Sequence, residues 1–278
     1  MQRVSLARSH GGEQGVYSHD SATCRCSMTF ALFLPPQAKT ASVPLLWYLS
    51  GLTCTHQNVM DKGEYRRLAA ELGLAIVCPD TSPRGDHVPD DKTDWKFGSG
   101  AGFYVDATQA PYKENYRMTS YLLEELASLL GSAFAIDMSR QGIFGHSMGG
   151  HGAMTLALRN PDRFRSVSAF APICSPSVAE WSRPAFEKYL GPDERAWRSY
   201  DAVSLIEDGH RLPDLLVDQG DQDAFLADGL HPWLLEKACR NADIALKLNI
   251  RAGYDHSYFF VSTFMENHLR WHADRFNA

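Results

Sequence analysis

The sequence predicts an α/β protein: a mostly parallel central sheet with helices on both faces, built as one domain over residues 1–278. Three observations carry this. Apolar strand signals alternate with helical ones, the pattern of parallel strands joined by crossover helices. The run Leu45 to Leu49 is continuously apolar rather than alternating, as a strand covered on both faces requires. The chain has 278 residues and 44% hydrophobic content. A chain of this size buries roughly three quarters of the surface its unfolded form exposes.

The elements follow in order. Met1 to Gly15 is polar and contains glycine, with no hydrophobic h-region, so a signal peptide is not expected. Met28 to Leu34 is apolar and runs into Pro35-Pro36, as a strand does before a turn. After the buried strand at Leu45 to Leu49, Tyr65 to Leu72 has helical spacing, and Leu74 to Val77 is a short strand ended by Pro79. Tyr121 to Leu130 carries apolar residues at helical intervals and is closed by Gly131. Ile143-Phe144 reads as a strand and Met154 to Leu158 as an amphipathic helix. Val167 to Phe170, Leu215 to Val217 and Leu246 to Ile250 are further strands, with a helix from about Pro232 to Asn241 between the last two. Phe260 to Phe276 is a final helix. Segments 81–115 and 172–200 lack a regular pattern and are long for plain connections, which is expected of segments that line an active site.

Between the strand at Ile143 and the helix at Met154 stands Gly145-His146-Ser147-Met148-Gly149. This is G-x-S-x-G, the nucleophile elbow of an α/β-hydrolase fold. The turn holds the serine in a strained backbone conformation, and small residues two before and two after it let the chain turn without clashing. Ser147 is the expected nucleophile, and the N–H of Met148, at a helix N-terminus, points at the developing oxyanion.

A nucleophilic serine needs a base, and the base an orienting acid, in the chain order Ser, Asp or Glu, His. Among eleven histidines, His256 lies soon after the last strand and before the final helix, in the loop Gly253-Tyr254-Asp255-His256-Ser257-Tyr258. His146 and His151 flank Ser147 in sequence, but the elbow sends their side chains elsewhere, into structural or pocket-lining roles. His210 and His231, next to prolines or polar turns, are expected to be exposed. For the acid, Asp221 and Asp223 both follow the strand that Gly220 ends, and local chemistry does not separate them; Asp255 is a third candidate. The second oxyanion donor should come from the loop after an earlier central strand, where Ser50-Gly51-Leu52 offers the N–H of Leu52.

Composition excludes other classes. Formal net charge is −6 with both signs interspersed, so no nucleic acid is expected as a partner. No apolar stretch of about 18 residues exists, so no membrane span is expected. The six cysteines form no C-x-x-C pair; Cys24 and Cys26, two apart, would share one face of a strand, and the scatter suggests reduced thiols in a cytoplasmic protein. His268 and His272 are four apart on a helix, but with no third ligand cluster the expectation is a packed or solvated face and no metal.

Over nearly its whole length the chain resembles the S-formylglutathione hydrolase (esterase D) family. The matching blocks are Leu49-Ser50-Gly51-Leu52-Thr53-Cys54-Thr55, Pro79-Asp80-Thr81-Ser82-Pro83-Arg84-Gly85, Gly100-Ala101-Gly102-Phe103-Tyr104-Val105-Asp106-Ala107, Asn115-Tyr116-Arg117-Met118, the elbow, Ser168-Ala169-Phe170-Ala171-Pro172-Ile173 and the His256 loop. The resemblance implies a triad of Ser147, Asp223 and His256. Asp223 is preferred to Asp221 through the family pattern G-x-x-D-x-F-L, matched by Gly220, Asp223, Phe225 and Leu226. It also implies oxyanion donors at Leu52 and Met148, a thiol near the site at Cys54, no cofactor, a homodimer, and cleavage of S-formylglutathione to formate and glutathione in formaldehyde detoxification. His56 departs from the pattern, standing where many members carry an acidic residue. Arg84, Lys62 and Lys92 are the cations available for the carboxylates of glutathione, and the sequence does not choose among them. Two rivals stand beside this reading: a general short-chain carboxylesterase, and a hydrolase-fold binding protein without catalysis.

Overall fold

The computed structural model describes residues 1–277. Nine strands form one sheet in the order β1-β2-β3-β5-β4-β6-β7-β8-β9. They are β1 (Gln2–Ser9), β2 (Gly12–Ser21), β3 (Cys26–Leu34), β4 (Val43–Leu49), β5 (Ala75–Pro79), β6 (Ile136–His146), β7 (Ser166–Phe170), β8 (Asp214–Gly220) and β9 (Ala245–Arg251). From β5 through β4, β6, β7 and β8 to β9 every pairing is parallel. β1 to β3 join the β5 side antiparallel. The expected sheet is therefore present, with an antiparallel wing of which the hydrophobic pattern announced only β3, at Met28 to Leu34. The reason lies in the two outer strands: β1 is solvent-exposed over almost its whole length, Val4 and Leu6 included, and β2 is mostly polar, so neither shows the apolar run of a buried strand. β1 turns into β2 at His10-Gly11, both at positive φ, as a two-residue hairpin needs.

β4 is buried at every residue, as its unbroken apolar run requires. The helix Met148–Arg159 is different from expectation. It is buried on all sides from Met148 to Leu158 rather than amphipathic. The sheet covers one side, and the helix Ala202–Glu207 packs on it as well. Segment 172–200 is not irregular throughout: it contains the helix Arg183–Leu190 and a short turn of helix at Glu194–Trp197, anchored by buried Phe186, Tyr189 and Trp197. Gly131 does not close its helix. The helical run passes through a π-type stretch at Tyr121–Leu126 and continues over Ala127–Ala133 before turning extended at Phe134. Cys24 sits in the turn before β3 and only Cys26 on the strand, so the two do not share a strand face; both are buried. Among the described residues no helix is long and apolar enough to cross a membrane.

In a parallel sheet all carboxyl ends lie along one edge, where loops from different strands meet. The register aligns these ends: Leu49 of β4 with Gly145 of β6, His146 with Phe170 of β7, Phe170 with Asp218 of β8, and Gly220 with Arg251 of β9. The loops carrying Leu52, Ser147, Asp223 and His256 all leave from this edge.

Candidate active site

Ser147 sits between β6 and its helix at φ 59°, ψ −119°. This is left-handed territory that a side chain normally avoids. The flanking backbone over-determines it. Ser147 N–H donates to the Phe170 carbonyl at 2.9 Å, and its own carbonyl accepts from His151 at 3.0 Å and from Ile173 at 3.2 Å. The two motif glycines have a steric cause. A Cβ at Gly145 would stand 2.4 Å from the Gly149 carbonyl oxygen, and one at Gly149 only 1.9 Å from that of Leu49. The elbow thus lets the helix N-terminus press against the end of β4.

That approach brings the β4 loop to the serine: a Cβ at Gly51 would lie 3.1 Å from the Ser147 Cβ. The loop is pinned by the Tyr104 hydroxyl, which donates to the Ser50 carbonyl at 2.7 Å, and by Thr53 N–H on the Gly100 carbonyl at 2.8 Å. Among the described residues neither the Leu52 N–H nor the Met148 N–H donates to another protein group. Two backbone donors without a protein acceptor thus stand beside a strained serine.

Across the cavity, His256 Nδ1 lies 2.6 Å from Asp223 Oδ2. Asp223 is itself held: Gln219 Nε2 donates to the same oxygen at 3.1 Å, and Phe225 N–H to Oδ1 at 2.9 Å. Asp221 has another task. It accepts from Gly253 N–H at 2.8 Å, while Gln222 N–H reaches the Tyr254 carbonyl at 2.9 Å, so the loop after β8 clamps the loop carrying His256. Asp255 caps the following turn through Ser257 N–H at 2.9 Å. The two aspartates that local chemistry left equivalent are separated by these contacts. Ser147 and His256 line one cavity of about 320 Å³, and the serine hydroxyl makes no hydrogen bond to a described residue. In unliganded sites such contacts are commonly long until substrate tightens them.

Four aromatic side chains also line the cavity: Trp95, Trp181, Phe225 and Tyr258. Trp95 and Trp181 come one from each of the two long segments flagged in the sequence, with ring centroids 6.3 Å apart. These four, Asn58 and the orienting Gln219 were not singled out from sequence. Phe225 lay in view inside the G-x-x-D-x-F-L block; a lone tryptophan in an irregular segment carries no signal of its own. Cys54 lines the same cavity as a free thiol, and burial raises its pKa despite Lys62, so it stays protonated.

His146 also lines the cavity, its ring centroid 4.4 Å from that of His256. Burial, and then the neighbouring His256, push its pKa well below the usual value, so it stays neutral in the cavity wall. His151 is buried, bonded to the Phe103 carbonyl at 3.0 Å, and burial lowers its pKa to about 4. His268 and His272 are buried against the sheet, bonded to Ser168 at 2.8 Å and to Ser166 at 2.6 Å. His268 also stands 3.5 Å from Asp218, a structural carboxylate held further by Arg251 at 3.0 Å. His210 is exposed as expected, but His231 is half-buried, its Nε2 on the Ala227 carbonyl at 2.8 Å, because it closes a turn before the helix Pro232–Asn241. His56 is the first residue of the helix His56–Lys62 and does not line the cavity. Arg84 is committed to Asp80 at 3.0 Å and to the Cys54 carbonyl at 3.0 Å, and Lys92 is exposed away from the cavity walls.

Comparison with known proteins gives a consistent picture. The family model described as putative esterase matches residues 21–271. A mouse (Mus musculus) protein named S-formylglutathione hydrolase is 49% identical over 281 residues, covering 100% of this chain and 99% of the relative. One of the same name from Paracoccus denitrificans is 50% identical over 274 residues, covering 99% and 98%. A solved S-formylglutathione hydrolase from Agrobacterium tumefaciens superposes with a TM-score of 0.99 at 61% identity, covering 99% of this chain and 100% of that one.

Proposed function

The chain belongs to the putative esterase family and, within it, to the S-formylglutathione hydrolases, and on that premise we propose how its residues carry the reaction. The protein is an enzyme that hydrolyses the thioester S-formylglutathione to formate and glutathione. Ser147 is the nucleophile, His256 the base and Asp223 the orienting acid, within one α/β-hydrolase domain. The observation that carries this assignment is the 2.6 Å contact of His256 with Asp223 across the cavity from the strained Ser147.

His256 Nε2 takes the Ser147 proton as Oγ attacks the formyl carbon. The negative charge moves to the carbonyl oxygen, facing the N–H groups of Leu52 and Met148. The C–S bond then breaks, and the sulfur leaves with the proton from His256. Because a thiol is more acidic than an alcohol, this departure needs less help from the imidazolium. Water, deprotonated by His256, attacks the formyl-enzyme and releases formate, restoring Ser147. Asp223 keeps the Nδ1–H tautomer and stabilises the imidazolium in both halves. An oxyanion-hole donor of this type is worth about 3–4 kcal/mol of barrier.

The same reading assigns the enzyme to formaldehyde detoxification in the cytoplasm and to a homodimer, which a sizing column with light scattering tests directly. Ser147→Ala should keep the fold and lose at least about 10³-fold in turnover; near-normal turnover would overturn the assignment. The aromatic cavity wall gives one observation in favour of a broader carboxylesterase. Comparing kcat/KM on S-formylglutathione and on an aryl acetate decides between the two. A fluorophosphonate probe that left Ser147 unlabelled would point to binding without catalysis.

A further inference from the structure

A second groove of about 430 Å³ adjoins the catalytic cavity and shares two of its walls, Ser257 and Tyr258, immediately after the base. Its other walls are Lys62, Glu64, Phe259 and Ser262. Among the residues lining the two spaces, Lys62 is the one lysine or arginine and Glu64 the one carboxylate. Both are exposed, and neither has an ion-pair partner among the described residues, although sixteen other pairs occur over the molecule. The other cations considered for glutathione are spent or remote: Arg84 is held by Asp80, and Lys92 lines neither space. Lys62 lines the groove that shares Ser257 and Tyr258 with the catalytic cavity.

We infer that this groove is the subsite for the γ-glutamyl head of the thiol leaving group, with Lys62 taking its α-carboxylate and Glu64 its α-ammonium. The inference rests on the glutathione thioester being the substrate. The chemistry matches on three counts. The γ-glutamyl head carries one positive and one negative charge on a single carbon, and the groove offers one unpaired charge of each sign. The glycyl end carries a carboxylate alone and gives Glu64 no partner. From the reacting sulfur to the head is about two residue lengths of extended chain, ~7 Å, so the head lies away from the reacting centre, and the groove shares the Ser257 and Tyr258 wall with the cavity. The exposed Phe259 ring and the Ser257 and Ser262 side chains complete the wall on the helix side.

The test compares kcat/KM for S-formylglutathione with that for the S-formyl thioester of N-acetylcysteinylglycine, which keeps the glycyl carboxylate and lacks the head. In the wild type the first should exceed the second. Lys62→Gln and Glu64→Gln should each lower the ratio by about five- to tenfold, through KM rather than kcat, since both contacts are charge-assisted but partly solvated. The wild-type KM for S-formylglutathione should also rise with ionic strength. Equal effects on both thioesters, or no effect on either, would overturn the subsite while leaving the thioesterase intact. A wild type that does not turn over S-formylglutathione would instead sink the reading on which the subsite rests.

Discussion

Asp223→Asn is the sharpest perturbation of this site, because it preserves shape and changes only charge and hydrogen-bond sense. Three donors converge on the Asp223 carboxylate: His256 Nδ1–H and Gln219 Nε2–H on Oδ2, and Phe225 N–H on Oδ1. An amide has one acceptor oxygen, so at least one donor is orphaned in either orientation. If the amide nitrogen faces His256, the imidazole must present Nδ1 as acceptor and carry its proton on Nε2, which abolishes the base. If it faces Phe225, a backbone donor meets another donor and the 223–225 turn opens. Orphaning one buried donor costs about 1–3 kcal/mol, and replacing a charged acceptor by a neutral one removes about 1–2 kcal/mol from the imidazolium. Together these raise the barrier by about 2–5 kcal/mol, a fall in kcat of roughly 30- to 5,000-fold. The assay follows loss of the thioester's ultraviolet absorbance under saturating substrate, with circular dichroism to establish the fold. Gln219→Leu serves as control: it removes a donor from the same oxygen but leaves the imidazole contact, and should cost less than about tenfold. A loss below tenfold in Asp223→Asn, or a larger loss in Gln219→Leu, would refute the idea that Asp223 sets the tautomer.

Gly149→Ala places a methyl 1.9 Å from the Leu49 carbonyl oxygen. Helix propensity favours the change by about 1 kcal/mol, yet the backbone must retreat by about 1 Å and carry the Met148 N–H with it, so kcat should fall about 10²-fold; unchanged turnover in a folded variant would count against the Met148 donor. Cys54 should react with maleimide more slowly than a free cysteine at neutral pH and faster as pH rises, because burial raises its pKa. Bound substrate should slow that labelling, and Cys54→Ser should keep most of the activity; full loss of activity or an absence of protection would contradict its place in the wall. Stability should fall on acidification. His151 is buried neutral with its pKa lowered to about 4, whereas the unfolded chain binds the proton near 6.5. The unfolded state therefore holds more protons between those values. Its contribution is complete above about pH 6.5 and shrinks by about 3 kcal/mol by pH 4, and urea midpoints measured across that range test the slope.

The parts of this molecule that were legible in its sequence are those with a local physical signature. The elbow showed because two glycines are forced by backbone contacts under 3 Å, and β4 because a doubly covered strand leaves an unbroken apolar run. The base loop showed through its place between the last strand and helix. What stayed hidden has a tertiary cause. β1 is exposed and β2 is mostly polar in sequence, so these two strands of the antiparallel wing were silent, whereas β3 showed in the apolar run Met28 to Leu34. The helix after Ser147 read as amphipathic because its short apolar run gave no hint of what covers its outer side; that cover comes from residues about 50 positions later. The aromatic walls come from two segments whose sequences show only irregularity, and their convergence depends on the whole sheet.

For the proposed triad, the spacing of the strands explains why the loop after β8 needs two aspartates. Neighbouring strands in a sheet are about 4.8 Å apart. Ser147 leaves from β6 and His256 follows β9, three strands away, so the His256 loop starts about 14 Å from Ser147 and must lean back over β8 and β7. A loop that leans has few contacts of its own, and an imidazole on it would wander by more than the fraction of an ångström that proton transfer tolerates. The loop after β8 lies directly beneath the path. Asp221 seizes the backbone of the base loop at Gly253, Gln222 binds it at Tyr254, and Asp223 then takes the imidazole itself. One short segment thus holds the loop before it orients the ring. In this arrangement Asp221→Ala, which leaves every reacting group in place, should lower kcat by loosening His256, and its loss should be recovered in part by glycerol or low temperature, which a change in the chemistry itself would not show.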